Sequence, residues 1–315
     1  MDKTTPSLGI ILVNYNTRDL LVSCLESSKA TQDDGVSHVV VDNASSDGSV
    51  EALRKAFPEV KVLSNEENHG FAVACNQGAQ SVRGDILVML NTDTLVQDGC
   101  WEALRRFFRE VPEADIVGGR ILNPDDSIQH SLRNFPNLLN ALAEAFFIHH
   151  PLKATRWFTE VITANSRYAR SHETDWVSGA FLACRRKVWE ELGGFDESFF
   201  MYCEDMDLCR RAYERGYKVY YAVEPTVVHF GGQSSLGTVH TLEMQMRARL
   251  KYFTKHHRCV TRFCFVGIQR LYLLVRSIVY SLLGLLPEMR EYASRARANW
   301  EVFLRLFRKE TERRK

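Results

Sequence analysis

The eight cysteines are scattered through the chain at 24, 75, 100, 184, 203, 209, 259 and 264, and no two are spaced as a CxxC pair. That spacing excludes a zinc ribbon. The opening residues MDKTTPSLGIILVNYN run straight into a strand-like segment and lack the apolar stretch of a secretory signal. The expectation is a reducing, cytosolic setting with free thiols. There is no internal repeat and no low-complexity tract. The segment VNYNTRD offers no glycine-rich triphosphate loop, which argues against a nucleotidyltransferase. Net charge is also small, +1 over 315 residues. Its distribution is uneven: residues 247–315 hold 17 Lys and Arg against 5 Glu. Such a tail suits an anionic partner, membrane or nucleic acid. No recognised nucleic-acid module accompanies it, which favours membrane.

What is present is the composition of a globular chain, 45% hydrophobic and 25% charged, long enough for one large domain with an appendage. Short apolar runs alternate with helix-like stretches in the first third. Strands are expected at Gly9–Val13, His38–Val41, Val60–Leu63 and Asp85–Leu90, and helices at Thr17–Lys29, Ser49–Phe57 and Phe71–Gln80. This rhythm predicts an α/β fold, a mostly parallel central sheet flanked by helices. Ligands of such sheets bind at the carboxyl ends of the strands. Polar clusters stand there: Asn14-Tyr15-Asn16, Asp42-Asn43, Asn65 to Asn68, and Asn91-Thr92-Asp93.

Further on, 118–133 reads as a strand and turn, and 135–168 as helical or a flap, a candidate part of the acceptor site. Trp176–Arg185 reads as a strand, Glu204–Arg215 as a helix, Val219–Ala222 and Val227–Phe230 as short strands, and Thr241–His257 as an amphipathic helix. Phe263–Leu286 is apolar but interrupted by Gln269, Arg270 and Arg276. A charge at the centre of a spanning helix costs several kcal/mol, so an interfacial helix or a hairpin in one leaflet fits better. The alternative is a core helix of a homo-oligomer formed through the C-terminal helices. The last segment, 287–315, is a basic helix whose Trp300, Phe303, Leu304 and Phe307 suit a lipid interface.

Five motifs carry chemistry. In VVVDNASSDGS (39–49), Asp42 ends a strand and can accept from a base imide or a ribose, whereas Asp47 reads as a helix cap. In NEENHGFAVACNQGA (65–79), Gly70 permits a tight turn before a helix that begins near the ligand, with Asn76 reaching back to a nucleotide. In MLNTDT (89–94), Asp93 suits a hard divalent cation, Mg²⁺ or Mn²⁺, that neutralises a leaving diphosphate. In FFMYCEDMDLCRRAYERGY (199–217), Glu204, Asp205 and Asp207 open a helix. Acidic residues favour that position on dipole grounds, yet a carboxylate also suits a general base. In VVHFGGQSS (227–235), His229 ends a strand before two glycines and suits metal or phosphate.

Taken in order, VNYN, VDNASSDGS, NHGFAVACNQG, LNTDT, SGAFLACRR, GGFDESFFMYCEDMDLCRR and HFGGQSS resemble a family 2 glycosyltransferase of the GT-A fold, in its bacterial rhamnosyltransferase-like branch. The resemblance runs from about Gly9 to His257. It implies a catalytic domain over 1–257 and a basic helical, membrane-associating extension over 258–315. It implies Asp205 as general base with Glu204 supporting it, and Asp42 against the pyrimidine base. Asp93 and His229 would serve the metal or diphosphate, with Asn14, Asn16, Asn68, Gly70, Asn76 and Thr92 as further donor contacts. Many relatives carry Asp-x-Asp where this chain has Asn91-Thr92-Asp93. The implied reaction is inverting transfer from a nucleoside-diphosphate sugar, dTDP-rhamnose or a UDP-hexose, to a saccharide or lipid-linked acceptor. It would occur at the cytoplasmic face of the membrane, in surface polysaccharide or glycolipid synthesis. The rival is a membrane-bound scaffold with a degenerate transferase domain.

Overall fold

The computed structural model describes residues 5–31, 35–148, 157–231 and 238–312. The chain divides into two compact units, Met1–Phe135 with Val161–Ser234, and Pro136–Glu160 with Ser235–Lys315.

The first unit is built on a nine-stranded mixed sheet. Four strands form its parallel half: β1 (Leu8–Asn14), β2 (Val36–Asp42), β3 (Lys61–Ser64) and β4 (Ile86–Asn91). They are ordered β3-β2-β1-β4 and all parallel. β1 and β4 are apolar along nearly their whole length and buried on both faces, as a strand covered by helices on each side requires. The crossovers are α1 (Arg18–Ala30), α2 (Ser49–Ala56) and α3 (Phe71–Ser81). Helix α3 lies close on the sheet because residue 78 is glycine: a Cβ there would stand 2.5 Å from Ile11 Cγ2.

The other half departs from the parallel pattern. β5 (Thr94–Val96) and α4 (Cys100–Glu110) are followed by β6 (Ala114–Leu122) and the two-residue β7 (Leu132–Arg133). β8 (His172–Glu173), β9 (Trp176–Val177), β10 (Phe181–Arg185), α6 (Arg186–Leu192), α7 (Glu204–Glu214) and β11 (Lys218–His229) complete the unit. β10 inserts antiparallel between β4 and β6, β11 runs parallel to β6, and β5 and β8 pair antiparallel with β11. β7 and β9 form a separate ladder. Two arginines, Arg185 at the end of β10 and Arg186 at the start of α6, tie down the ends of α3 and α4. Arg186 donates to the carbonyls of Ala79, Val82 and Gly84, and Arg185 to those of Phe108, Pro112 and Ala114. Ala79, Val82 and Phe108 supply carbonyls that a helix terminus leaves without intrahelical partners, and the other three lie in the chain that follows α3 and α4.

Two sequence expectations are corrected here. The short strands expected at 219–222 and 227–230 are one strand, β11, whose register with β6 slips between Tyr221 and Thr226 around Pro225. Proline has no N–H for the ladder and is tolerated at such an irregularity. The single strand expected over 176–185 is broken at Ser178–Ala180, which turn between β9 and β10.

The second unit is helical. Helix α5 (Leu138–Ala145) starts at a reciprocal cap between Asn137 and Asn140. The segment 149–156 lies outside the described residues. α8 (Thr238–His256), α9 (Cys259–Leu283) and α10 (Glu291–Glu312) pack around Met246, Leu273 and Val302. Phe253 and Phe265 stack at 3.6 Å between centroids. Two buried polar side chains of α9 bond to neighbouring helix carbonyls, Gln269 to Met246 O and Ser277 to Ala296 O. The hairpin considered for 263–286 is not formed: α9 is one helix of 25 residues. Of the apolar tail residues, Trp300 and Leu304 are exposed while Phe303 packs on the helical core. The Phe307 side chain lies outside what is described.

Candidate active site

The carboxyl ends of β1, β2 and β4 lie side by side, with Asn14 opposite Asp42 and Val13 opposite Asn91. Asn14 is fully buried. Its Nδ2 donates to Asp42 Oδ2 at 2.7 Å and to Ser45 Oγ at 2.9 Å, and its Oδ1 accepts from Thr17 Oγ1 at 2.7 Å. The Thr17 proton is thereby committed, so Thr92 Oγ1, 2.9 Å away, donates to Thr17. Asp42 is 2% exposed, and its other oxygen accepts the Ser45 N–H. Asn16, at φ 55°, accepts from Ser46 N. Asp47 takes the N–H groups of Arg18 and Ser49 that open α1 and α2. The first and second strand ends are thus one preorganised network, with Asp42 inside it rather than at its surface.

A second network holds the 65–71 loop. Asn68 Oδ1 accepts from Gly70 N, Asn43 Nδ2 donates to Gly70 O, and Asn65 bridges Asn43 and Gln77. Gly70 has φ +88°, and a Cβ there would stand 2.3 Å from Phe200 O. The neighbouring Phe71 N–H donates to that carbonyl at 2.7 Å. The loop therefore abuts the segment that carries the acidic motif. Asn76 does not join the strand-end cluster: its amide is used on both sides by Phe195 N and O and by Glu197.

The acidic motif enters through two consecutive left-handed residues, Tyr202 (φ 71°) and Cys203 (φ 67°). Backbone strain of this kind persists only where the surroundings enforce it. It delivers Glu204 and Asp205 at the first turn of α7. Asp205 Oδ2 accepts the Gly179 N–H at 2.8 Å, and Oδ1 accepts Met206 N at 2.7 Å. Burial raises the Asp205 carboxyl above its ordinary value, opposed by those two N–H bonds and by the charge of Arg133. Glu204 is 6% exposed, and its Oε2 has no hydrogen-bond partner. Burial pushes it well above the usual carboxylate range, and the neighbouring Asp205 adds to this. Asp207 is an anchor: fully buried, it pairs with Arg211 at 2.7 Å, whose guanidinium also bonds Leu192 O and Gly194 O.

Asp93 and His229 meet because β5 pairs with β11, setting His229 opposite Thr94. His229 Nε2 is 3.1 Å from Asp93 Oδ1 and 3.3 Å from Asn91 Nδ2. Its Nδ1 is 2.6 Å from Gln129 Oε1. Gln129 Nε2 faces two acceptors, Asn123 Oδ1 and His229 O, so its Oε1 is the accepting end and the histidine proton sits on Nδ1. The chain of bonds continues: Asn123 donates to Ser127 Oγ, which donates to Asp125. With Nδ1 held by Gln129, His229 Nε2 faces Asp93 Oδ1 and the Asn91 side-chain amide, the arrangement of a metal-binding histidine with its orienting partner. Among the described residues no group of three or more His, Cys, Asp and Glu converges as a metal site. One carboxylate oxygen and one imidazole nitrogen fit a divalent cation that takes its remaining ligands from phosphate oxygens and water. Residues 232–235 of the histidine motif lie outside the described residues.

The loop between β9 and β10 ties the two halves of the site. Ala180 O accepts the Asn91 N–H at 3.1 Å, while Gly179 N binds Asp205. Sequence reasoning missed Gly179, Gln129, Asn123 and Arg133 as site residues.

The model of "Glycosyl transferase family 2" matches residues 9–193. The chain is 28% identical over 246 residues to the N-acetylglucosaminyl-diphospho-decaprenol L-rhamnosyltransferase of Mycobacterium tuberculosis, covering 73% of this chain and 78% of that protein. It is 38% identical to the rhamnosyltransferase WbbL of Escherichia coli over 56 residues, 18% of this chain and 21% of that one. Among solved structures it resembles a mannosyltransferase of Pyrobaculum calidifontis in complex with GDP-Man and Mn²⁺, at TM-score 0.61 and 16% identity, covering 96% of this chain and 87% of that one. It also resembles GalNAc-T7 with UDP, GalNAc and Mn²⁺, at TM-score 0.61 and 14% identity, covering 94% and 55%. The fold is that of the GT-A glycosyltransferases.

Proposed function

The chain belongs to glycosyl transferase family 2, and from that premise we propose that it transfers a sugar from a nucleoside diphosphate to an acceptor hydroxyl by a single inverting displacement. It is a nucleotide-sugar glycosyltransferase of polysaccharide or glycolipid synthesis. In the proposed reaction the acceptor oxygen attacks the anomeric carbon. Its proton passes to Asp205, and the bond to the diphosphate breaks on the opposite face. Glu204 stays beside Asp205 as a supporting, uncharged carboxyl. Asp93 and His229 would hold Mn²⁺ or Mg²⁺, which when bound supplies positive charge to the leaving diphosphate. Asn14, Asn16, Asp42, Asn68, Gly70 and Thr92 shape the donor pocket, Asp42 by fixing Asn14 and the 43–46 turn.

The observation that carries this reading is the fixed Asp205 carboxylate. It is oriented by Gly179 N–H in the same loop that holds Asn91, next to the Asp93–His229 pair. The named rhamnosyltransferases among the relatives support a deoxyhexose donor, dTDP-rhamnose, over a UDP-hexose, and a lipid-linked saccharide as acceptor. We retain 1–257 as the catalytic domain and 258–315 as an extension attached peripherally to the cytoplasmic face of an anionic membrane. The test is turnover of dTDP-rhamnose, UDP-glucose, UDP-N-acetylglucosamine and GDP-mannose with Mn²⁺, Mg²⁺ or chelator, the product anomer being read by NMR. Metal-dependent release of one nucleotide with an inverted product is expected. A retained anomeric configuration, or turnover unaffected by chelator, would overturn the mechanism.

A further inference from the structure

Most of the large apolar side chains exposed among the described residues belong to the smaller, helical unit. On α9 they form a stripe. Val260, Phe263, Ile278, Leu282 and the following Leu285 are 75%, 77%, 53%, 62% and 79% exposed. With Leu271 they recur at helical spacing along one side of a helix that is ~37 Å long at ~1.5 Å per residue. Of the charges that break this sequence, Arg270 is half-buried at the edge of the stripe, seven residues after Phe263, and Arg276 lies on the other side of the helix. Arg276 is half-buried and stacks between Phe147, at 4.5 Å, and Tyr272, at 4.3 Å, with Nη1 on Tyr280. Arg262 sits in the first turn, beside the preceding Arg258, and both are exposed. Helix α5 of the same unit adds exposed Leu139 and Leu142, followed by Phe146 and Ile148.

We propose that the outer sides of α9 and α5 lie in the plane of an anionic phospholipid bilayer, with exposed arginines at the helix ends engaging the headgroups. This deepens the membrane partner of the reading above and rests on it. The charge selects the occupant. Residues 247–315 carry 17 Lys and Arg against 5 Glu, so a second copy would oppose like charge while anionic lipid supplies the opposite sign. The inner side of α9 selects the depth. It is committed to α8 and α10 through Gln269 and Ser277, and α10 carries Arg295, Arg297, Glu301 and Arg305. A spanning α9 would carry those charges into hydrocarbon, which is costly. A helix with one apolar side and flanking cations instead settles at the interface.

The full chain is tested by flotation with vesicles of phosphatidylcholine alone or containing phosphatidylglycerol, at low and high salt. The wild type floats with the anionic vesicles and is partly released by salt. Phe263→Gln/Ile278→Gln/Leu282→Gln lowers partitioning roughly tenfold or more while the thermal melt is unchanged, because all three side chains are exposed. Arg258→Glu/Arg262→Glu lowers it on anionic vesicles alone. Undiminished flotation of both variants would overturn the proposal. So would a wild-type dimer by light scattering that the apolar variant converts to monomer, since a second copy would then be the occupant. Hydrolysis of soluble donor is measured in parallel. If it is absent while flotation behaves as expected, the transferase reading fails and the docking surface stands; the converse result separates them the other way.

Discussion

Gln129 Oε1 lies 2.6 Å from His229 Nδ1, and that contact assigns the imidazole proton to the side away from Asp93. A hundred residues separate the two in sequence, and β11 is what brings the histidine beside the turn that follows β6. The glutamine acts through the histidine, as a positioning residue.

Replacing Gln129 by Leu removes the acceptor that holds the tautomer. Mn²⁺ affinity, measured by calorimetry on the protein with nucleoside diphosphate, is expected to fall by about 10–100-fold. Gln129→Glu, which keeps the acceptor, should recover part of it. Equal affinity in all three proteins would show that Gln129 does not orient the ring.

Asp205→Asn keeps the shape and the Gly179 contact on one side but removes the proton acceptor. Turnover is expected to fall by about 10²–10⁴-fold with donor Kd little changed. Equal losses of turnover and donor affinity would assign Asp205 to binding instead.

Glu204 carries a pH signature. Its carboxyl is raised in the folded chain by burial and by Asp205, so above the ordinary carboxyl range the unfolded state releases a proton that the folded state keeps. Stability on this account is full below that range and falls as pH rises through the raised value. Glu204→Gln should therefore melt at higher temperature than wild type at neutral pH, by roughly 2–4 °C. The difference should vanish near pH 4. A difference independent of pH would mean that Glu204 is charged in the folded chain.

Asp207→Ala leaves the partly buried Arg211 beside two carbonyls without its counter-charge. Breaking one side of such a pair costs about 3–5 kcal/mol, measurable by urea denaturation. A loss under about 1 kcal/mol would mean that solvent reaches the arginine, as at exposed pairs.

The parallel half of the sheet was legible because β1 and β4 are uninterrupted apolar runs ending in Asn14 and Asn91, as burial on both faces demands, and β2 closes on the apolar run Val39–Val41 before Asp42. The Asp93 and His229 motifs were legible as types, but their meeting depends on an antiparallel pairing that no local spacing records. Gln129 and Gly179 carried no signal: one is a lone glutamine after a turn, the other contributes only a backbone N–H. Asn76 was read from its place on a helix near the ligand, and the loop at 194–197 claims its amide instead. In α9 the arginines counted against an apolar helix when averaged along the chain. For Arg276 the angular position, settled by packing against Tyr272 and Phe147, removes it from the exposed side, while Arg270 stands at the edge of the stripe.

The pairing of β5 with β11 also sets a clock. During synthesis Thr94–Val96 leaves the ribosome long before Val227–His229, with which it forms its ladder. At about 5–20 residues per second the wait is on the order of 7–27 s. Over that interval the nascent chain can assemble its parallel strands and close its first turns. Asp93, however, stays without its histidine until the partner strand emerges, so donor-site competence is the last property of this sheet to be acquired.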